Sequence, residues 1–578
     1  MPAIGLDVGA SKAVMAALAG GEPRLIRNGG HSPLTPALLG LGPAGTLTWG
    51  RAALDAAESA VHMWLPRLGE AMLLPFNGLE YAPGELAALF FMCLRQEAEA
   101  GLGRPPGRVV LAAPLAFGQR QLALLCQAAR RAGLFVLGVV PSTVAAALAY
   151  CWEHPDAEPR TLLICDFGAS ALGVAVVRTF PGAVTVLGQA DDRWLGGEDF
   201  TQMIVAHLLR RLQGERGLLL DETQAARRAL RRELRRAAEQ AKVALSTVEQ
   251  VRIALTPQAL GLPVGLCELM SRPQFEEMAA PRLGEATEVV ERALAAAGMS
   301  GESIDAVLLA GGAAQMPLWR AHLARRLGRA RFLRDFNPLT GVAMGAALWA
   351  GLVDGVRCPT CGLQAPLQAT QCGRCGSSLD GAGRLACPRC FLPHEPARLS
   401  CAKCGASLRA ARRSAGQARP SGRAPGPRAS WESGGGLRCR HCGFVAPAGA
   451  PSCPLCGGLV APFVGGLNRS DLGVPRDDGH MDVLLPRGQA LPTPPAWRAL
   501  ATGVQPGPLE VPIYEGDKPL ACQNERCGTL RVDLPAGVAP GSSVRVALRL
   551  GSDGLLQVGA ELGDGSGRAL DAWIDWAP

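Results

Sequence analysis

Twelve cysteines stand in six Cys-x-x-Cys pairs: Cys358 with Cys361, Cys372 with Cys375, Cys387 with Cys390, Cys401 with Cys404, Cys439 with Cys442, and Cys453 with Cys456. Taken two pairs at a time, ten residues separate the end of one pair from the start of the next. A two-residue spacer lets both thiolates of a knuckle face one ion. Gly follows the second Cys in five of the six pairs and suits the tight turn there. Two knuckles complete a tetrahedral site of four thiolates, so the spacing predicts three structural Zn2+ ions in three ribbons. Such closed sets leave no open position for chemistry. A redox Cys-x-x-Cys requires a βαβ context, which is absent around these pairs. His394 and His441 read as bystanders, because each set of four is already complete. Cys522 and Cys527 have another spacing and read as ordinary residues of a β domain.

A second group of residues could hold a phosphate. "IGLDVGASKAV" (4–14) and "LLICDFGASALGVAVV" (162–177) each read as strand, Asp-x-Gly turn, strand. The N–H groups of such a turn can face an anion, and the Asp can hold Mg2+ through water. Taken singly, each is equally an ordinary Gly-turned hairpin. "AVLLAGGAAQMPLWRAHLARRL" (306–327) adds a strand, the pair Gly311-Gly312 and a helix. A Gly pair there permits close approach of a flat ligand such as an adenosine.

These groups need elements to position them. A chain of 578 residues makes several domains, and its apolar content is ample for large cores. Residues 1–353 alternate apolar strands with Ala/Leu-rich helices and read as one α/β domain. Ribbons follow at 356–378, 385–408 and 437–460, with an Arg/Pro/Gly/Ser-rich flexible linker at 409–436. From 468 to 578, short alternating segments with turn signals predict an all-β domain. The net charge of +8 is modest for this length and does not itself imply nucleic acid. The Arg-rich stretch at 224–243 reads as a solvated helix, not a nucleic-acid stripe, because Glu residues are interleaved. No apolar run reaches about 18 residues, so no transmembrane helix is expected. The N-terminus lacks the pattern of a secretory signal, and a cytoplasmic protein is expected.

Two Asp-x-Gly hairpins followed by a Gly pair resemble the actin-like ATPase and sugar-kinase superfamily. "WLGGEDFTQMIVAHLL" (194–209), "RRELRRAAEQAKVALST" (231–247), "NPLTGVAMGAALWAGL" (337–352) and "PSTVAAALAY" (141–150) are similar to segments of the 70-kDa heat-shock chaperone family. "DLGVPRDDGHMDVLLPRGQALP" (471–492), "VPIYEGDKPLACQNERCGTLRVDLP" (511–535) and "DGLLQVGAEL" (553–562) resemble that family's peptide-binding sandwich. The resemblance implies a two-lobed actin-like α/β domain, then the ribbons, then a C-terminal all-β sandwich without the family's helical lid. The ribbons stand where the family has a short apolar linker.

By resemblance, Asp7, Gly9 and Ser11 belong to the first phosphate loop and Asp166 and Gly168 to the second. Gly196 and Gly197 approach the phosphates, and Glu239, Lys242, Ser246, Gly311 and Gly312 contact adenosine. ATP or ADP with Mg2+ is the implied ligand. The catalytic positions depart from the family. Its lysine falls at or near Pro66, its Glu at Ser142, and the second loop's Thr and Asp at Ala171 and Gly173. The first loop has Ala10 for one Thr, and Leu339 replaces the Asp after "NP". Lys12, Arg67 and Asp166 are the remaining catalytic candidates. Some sugar kinases of the superfamily carry Lys at the step where Lys12 stands, where it could neutralise a phosphate. An exposed hairpin lysine is the other reading.

Val474, Leu509 and Val511 match apolar positions of the family's peptide pocket. For Val474 and Val511 the alternative is plain core. Asp477 and Thr502 stand where larger or apolar groups arch over the peptide. The expected function is a lidless chaperone that binds ATP or ADP and extended apolar peptides, with weak or lost hydrolysis and a possible co-chaperone. One rival is a non-catalytic adaptor whose ribbons and basic linker recruit a protein or nucleic acid. The other is a small-molecule kinase, opposed by "LGGEDF" and the β domain. With no apolar linker to dock, little coupling between nucleotide and peptide sites is expected.

Overall fold

The computed structural model describes residues 3–353 and 464–576 apart from short stretches, together with six short strand segments between 354 and 463. Its contacts divide the chain into two units, residues 1–350 with 462–578, and residues 351–461.

The first unit is built around two six-stranded mixed sheets. One runs in the order Phe135–Pro141, Arg108–Ala113, Ala3–Val8, Lys12–Ala19, Glu22–Ile26, with Leu34–Pro36 also on Lys12–Ala19. Arg108–Ala113 lies between two parallel partners, and residues 109–113 are all buried. That is why it reads as an unbroken apolar run and not as an alternation. Helices Pro83–Leu102 and Gln119–Arg131 join its core, where Trp64, Phe90 and Phe91 are fully buried.

The other sheet runs Arg331–Phe332, Ala306–Ala310, Arg160–Phe167, Leu172–Phe180, Ala183–Asp192, Val464–Gly465. The same motif recurs in both: an antiparallel hairpin whose first strand has a parallel neighbour on its other side. Asp7 pairs with Ala112 in one sheet and Asp166 with Ala310 in the other. Helices Gly197–Gly214, Gln224–Leu245, Arg272–Ala296 and Pro317–Leu327 contribute to the second core. The Arg-rich helix buries Leu230, Leu234, Ala238, Ala241 and Leu245, spaced at three and four residues. Burying each leucine contributes about 1.5–3 kcal/mol, while Arg231 and Arg236 are exposed.

Residues 468–576 form two antiparallel sheets around one core. Five strands run Met481–Leu485, Leu472–Pro475, Leu509–Glu515, Glu525–Val532, Ala572–Asp575. Four run Ala496–Ala501, Ser543–Leu550, Leu556–Leu562, Ala569–Leu570. Val474, Ile513, Leu530, Val546 and Leu548 meet between them, fully buried. Cys527 is part of this core, and Cys522 is exposed.

One expectation is overturned here. A segment that pairs with the α/β domain's sheet does follow the expected ribbons. After them, Val464–Gly465 adds a parallel strand to the second sheet, beside Val184 and Thr185. Gln189 Nε2 donates to Leu467 O at 3.0 Å just beyond. A two-residue strand has too little pattern to be read from sequence, and it forms because the edge strand Ala183–Asp192 has open N–H and C=O groups.

In the second unit, three short hairpins are described: Gly355–Arg357 with Gln364–Pro366, Leu385–Ala386 with Pro393–His394, and Leu437–Arg438 with Val445–Ala446. In sequence each brackets the first Cys-x-x-Cys pair of one expected ribbon. The expected zinc ligands themselves lie outside the described residues. They are Cys358, Cys361, Cys372 and Cys375 of the first ribbon, Cys387, Cys390, Cys401 and Cys404 of the second, and Cys439, Cys442, Cys453 and Cys456 of the third. The linker 409–436 also lies outside them. Among the described residues no group of three or more His, Cys, Asp or Glu side chains is gathered to hold a metal ion. Among the same residues no helix is long and apolar enough to cross a membrane.

Candidate functional site

The two Asp-x-Gly turns close in the same way. Gly9 N donates to Lys12 O at 2.9 Å, and Gly168 N donates to Ala171 O at 3.0 Å. Each turn thus holds its Asp at the end of a strand fixed on both sides. The turns face one cleft, which Gly311 and Gly312 also line.

Two glycines are needed for the cleft to close up behind the second turn. A Cβ on Gly196 would lie 2.4 Å from Ala169 O. Gly311 has φ +86°, and a Cβ there would lie 2.3 Å from Phe167 O. Gly197 N then bonds Gly168 O at 2.9 Å, and Glu198 N bonds Ala169 O at 2.7 Å. The "LGGEDF" segment is in this way fastened to the second turn by backbone alone.

The electrostatics of the cleft are unusual. Burial pushes the Asp7 carboxyl up to about 8, the Asp166 charge adds to the rise, and Lys12 opposes it. Asp166 is also raised by burial, and the Ser142 hydroxyl damps that rise. Ser142 is buried, lines the cleft and makes no well-formed hydrogen bond among the described residues. Lys12 is lowered, first by burial. Two carboxylates facing one cleft suit a hydrated divalent cation.

The adenosine-side residues form their own network. Lys242 Nζ donates to Glu239 Oε2 at 2.6 Å, Gly197 O at 2.8 Å and Thr201 Oγ1 at 3.0 Å. All three donors of the ammonium are used. Burial raises Glu239, but the Lys242 charge and hydrogen bond and the Thr201 hydroxyl outweigh it and hold this carboxyl low. Ser246 Oγ lies 3.5 Å from Lys242 O, one helical turn on.

Asp7, Gly9, Ser11, Lys12, Asp166 and Gly168 therefore come together in the cleft with Gly311 and Gly312. Gly196, Gly197, Glu239, Lys242 and Ser246 stand behind it. Arg67 does not join them. Its guanidinium is engaged by Glu70 Oε2 at 3.3 Å and Met72 Sδ at 3.2 Å. A cation that sequence reasoning missed is bound to the same segment. Arg193 Nη2 reaches from the second lobe to Pro66 O at 2.9 Å and to Glu70 Oε1 at 3.7 Å. Nothing in the local sequence marks it, because its partners are more than a hundred residues away.

Val474 and Val511 are 0 % and 6 % exposed and belong to the core between the two sheets, so they do not line an open groove. Leu509 is half-buried at the edge of that core. Thr502 is buried, with Oγ1 donating to Ala539 O at 3.1 Å, and Asp477 is exposed.

The model of the Hsp70 protein family matches residues 68–360, just over half of the chain. The matched stretch carries the second turn, "LGGEDF", the Lys242 network and Gly311-Gly312, the same parts that geometry assembles around the cleft. The chain belongs to the 70-kDa heat-shock protein family, whose nucleotide domain has the actin-like α/β fold and uses ATP, ADP and Mg2+.

Proposed function

We propose that this member of the family is a chaperone that binds ATP or ADP in the cleft and extended apolar peptides on its C-terminal β domain, with hydrolysis slowed or lost. The observation that carries this reading is the composition of the cleft. Both turns, the Gly pair and the Asp7/Asp166 carboxylates face one space, while Ser142, Ala171 and Gly173 line it where the family has a Glu, a Thr and an Asp. Binding needs close backbone approach and counter-charge. Phosphoryl transfer needs in addition groups placed on the transition-state charge. Asp7 and Asp166 would hold Mg2+ through its water shell, and the N–H groups of the turns would face the phosphates. Three four-cysteine zinc sites complete the reading, with co-chaperones as possible further partners.

ATP added to the whole protein with Mg2+ tests it. The melting temperature should rise, since a ligand that binds only the native state stabilises it. Phosphate release should stay near background. No thermal shift at millimolar ATP or ADP rules out the nucleotide reading, and brisk release rules out the slowed one.

A second reading has one observation in its favour. Val474 and Val511 are core residues, so a peptide pocket built on them has to be opened first. If apolar peptides fail to bind in either nucleotide state, the β domain and ribbons serve as an adaptor that recruits a protein partner.

A further inference from the structure

A pocket distinct from the cleft lies where the α/β domain meets the C-terminal segment, and Leu115 borders both. Phe117, Val140 and Trp349 wall it from the α/β domain, and Leu467, Leu491 and Leu550 from the C-terminal segment. The polar side chains of the lining have spent their donors. Arg469 is held by Glu515 and by Leu115 O. Gln119 donates to Gly554 O and accepts from Leu556 N. Gln189 Nε2 donates to Leu467 O at 3.0 Å, and Asn468 Nδ2 donates to Leu485 O and Pro486 O at 3.0 Å each. The carbonyl oxygens of these two amides, Gln189 Oε1 and Asn468 Oδ1, accept no hydrogen bond among the described residues. The buried indole N–H of Trp349, in the same wall, has no acceptor among them either.

This lining fits a hydrocarbon body with one neutral hydrogen-bonding group. Arg469 is the one cation among the described lining residues, and it is already paired. A charged ligand would lose its hydration there and find no counter-charge. An unbonded carbonyl oxygen in a wall calls for a donor, and the Trp349 N–H calls for an acceptor. A hydroxyl is the smallest neutral group that is both. We propose that this pocket binds a small uncharged alcohol with a hydrocarbon ring. Its O–H donates to Gln189 Oε1, and its oxygen accepts from Trp349 as the indole tilts toward the pocket. Such a ligand touches the α/β domain and the C-terminal segment together, so it binds their joined arrangement and stabilises it. The site would exist whether or not the cleft takes a nucleotide.

Equilibrium dialysis of the full chain tests the proposal with β-naphthol and with β-naphthyl methyl ether, which keeps the ring and the oxygen but has no donor. β-Naphthol should bind saturably at one site per chain. Leu491→Trp, which fills the β-domain wall, should abolish binding of both. A neutral hydrogen bond changes affinity by roughly 3- to 10-fold. The preference for β-naphthol over the ether should fall by that factor in Gln189→Met. In heteronuclear spectra of the wild type, saturating β-naphthol should move one indole N–H signal downfield, the one missing from Trp349→Phe. It should also slow amide exchange at Gln119–Leu122. Absence of saturable binding overturns the proposal, as does binding unchanged by Leu491→Trp or equal preference in wild type and Gln189→Met. Unchanged exchange overturns the stabilisation of the joined arrangement. If these variants do not fold, the wild-type spectrum decides alone, and an indole set left unmoved by β-naphthol overturns the proposal.

Discussion

Glu515 of the C-terminal β domain accepts a hydrogen bond from the backbone N–H of Gln119, at 2.8 Å. Gln119 is the first residue of helix Gln119–Arg131, whose N-cap is Gly118 and brings no side-chain cap of its own. A carboxylate from a residue 396 positions away therefore caps a helix of the nucleotide domain. The Gln119 side chain is held at both ends by the same domain: Nε2 donates to Gly554 O at 2.7 Å, and Oε1 accepts from Leu556 N at 2.9 Å. Arg469 pairs with Glu515 at 3.3 Å and donates to Leu115 O.

Removing that cap should loosen the contact. Glu515→Ala leaves the Gln119 N–H uncapped and Arg469 unpaired. Loss of a side-chain cap costs about 0.5–2 kcal/mol, and a buried charge left alone adds to it. Hydrogen exchange at Gln119–Leu122 should quicken in Glu515→Ala and less so in Glu515→Gln, which keeps an acceptor. Unchanged exchange would mean that the β domain does not hold this helix in solution.

The contact also revises what is expected of coupling. Leu115 borders the nucleotide cleft, and it lines a second, largely apolar pocket together with Leu467, Arg469 and Gly554 of the C-terminal segment. The strand Val464–Gly465 adds to the nucleotide domain's sheet in addition. The cleft and the β domain thus share the same short segment, and a ligand that moves it would have differential contacts to work through. Coupling of 1–3 kcal/mol is usual for such linked sites. ATP should shift the affinity for an apolar fluorescent peptide by roughly tenfold, and Arg469→Ala should reduce the shift. Identical peptide affinity with ATP, ADP and no nucleotide would restore the uncoupled picture.

How far the sequence spoke depended on the range of each interaction. The Asp-x-Gly hairpins, the Gly pair and the Arg-rich helix were legible, because each is a local pattern of apolar spacing and turn residues. Val464–Gly465 was not, since two residues show no period and pair only because an edge strand is open beside them. Arg193 on Pro66 O and Glu515 on Gln119 N were not, because each joins distant segments whose types are individually ordinary. The roles of Val474 and Val511 stayed open in sequence, where an apolar pocket and a core use the same residues. The fold resolves their placement as core.

The ribbons should hold metal. Purified protein is expected to contain about three zinc ions per chain, one for each set of four paired cysteines. Structural zinc sites contribute apparent energies of roughly 10–16 kcal/mol, so a strong chelator should unfold the ribbons expected at 356–378, 385–408 and 437–460. It should leave the melting of the nucleotide domain in place. Elemental analysis without zinc in freshly prepared protein would dispose of the four-cysteine assignment.

Acid should weaken the nucleotide domain through His62. Burial and the Arg235 charge together lower this imidazole to about 4, against an opposing pull from Glu198. Between the ordinary value of 6.5 and about 4, the unfolded chain binds a proton that the folded one refuses. Stability is therefore full above 6.5 and falls as the pH drops toward 4, by at most about 3 kcal/mol from this group. His62→Gln should flatten the melting temperature over that window. An unchanged slope would assign the acid sensitivity to other groups.

Restoring the lost carboxylate of the second turn should fail for a steric reason. Gly173 pairs with Asp166 across the hairpin, and a Cβ built on it lies 3.0 Å from Leu115 Cβ, tighter than ordinary contact. Gly173→Asp must push Leu115 aside, and Leu115 is buried, with its carbonyl held by Arg469. Overpacking of this kind costs about 1–3 kcal/mol. The new carboxylate would also add charge beside two buried aspartates. The single variant should melt lower than wild type and hydrolyse ATP no faster. Gly173→Asp combined with Leu115→Gly removes the colliding Cβ and should recover part of that cost relative to Leu115→Gly alone, whereas Leu115→Ala keeps the collision. Recovery is measured by thermal melting with and without ATP. If Gly173→Asp alone is as stable as wild type, Leu115 yields easily, and the loss of the family's Asp at this position owes nothing to packing.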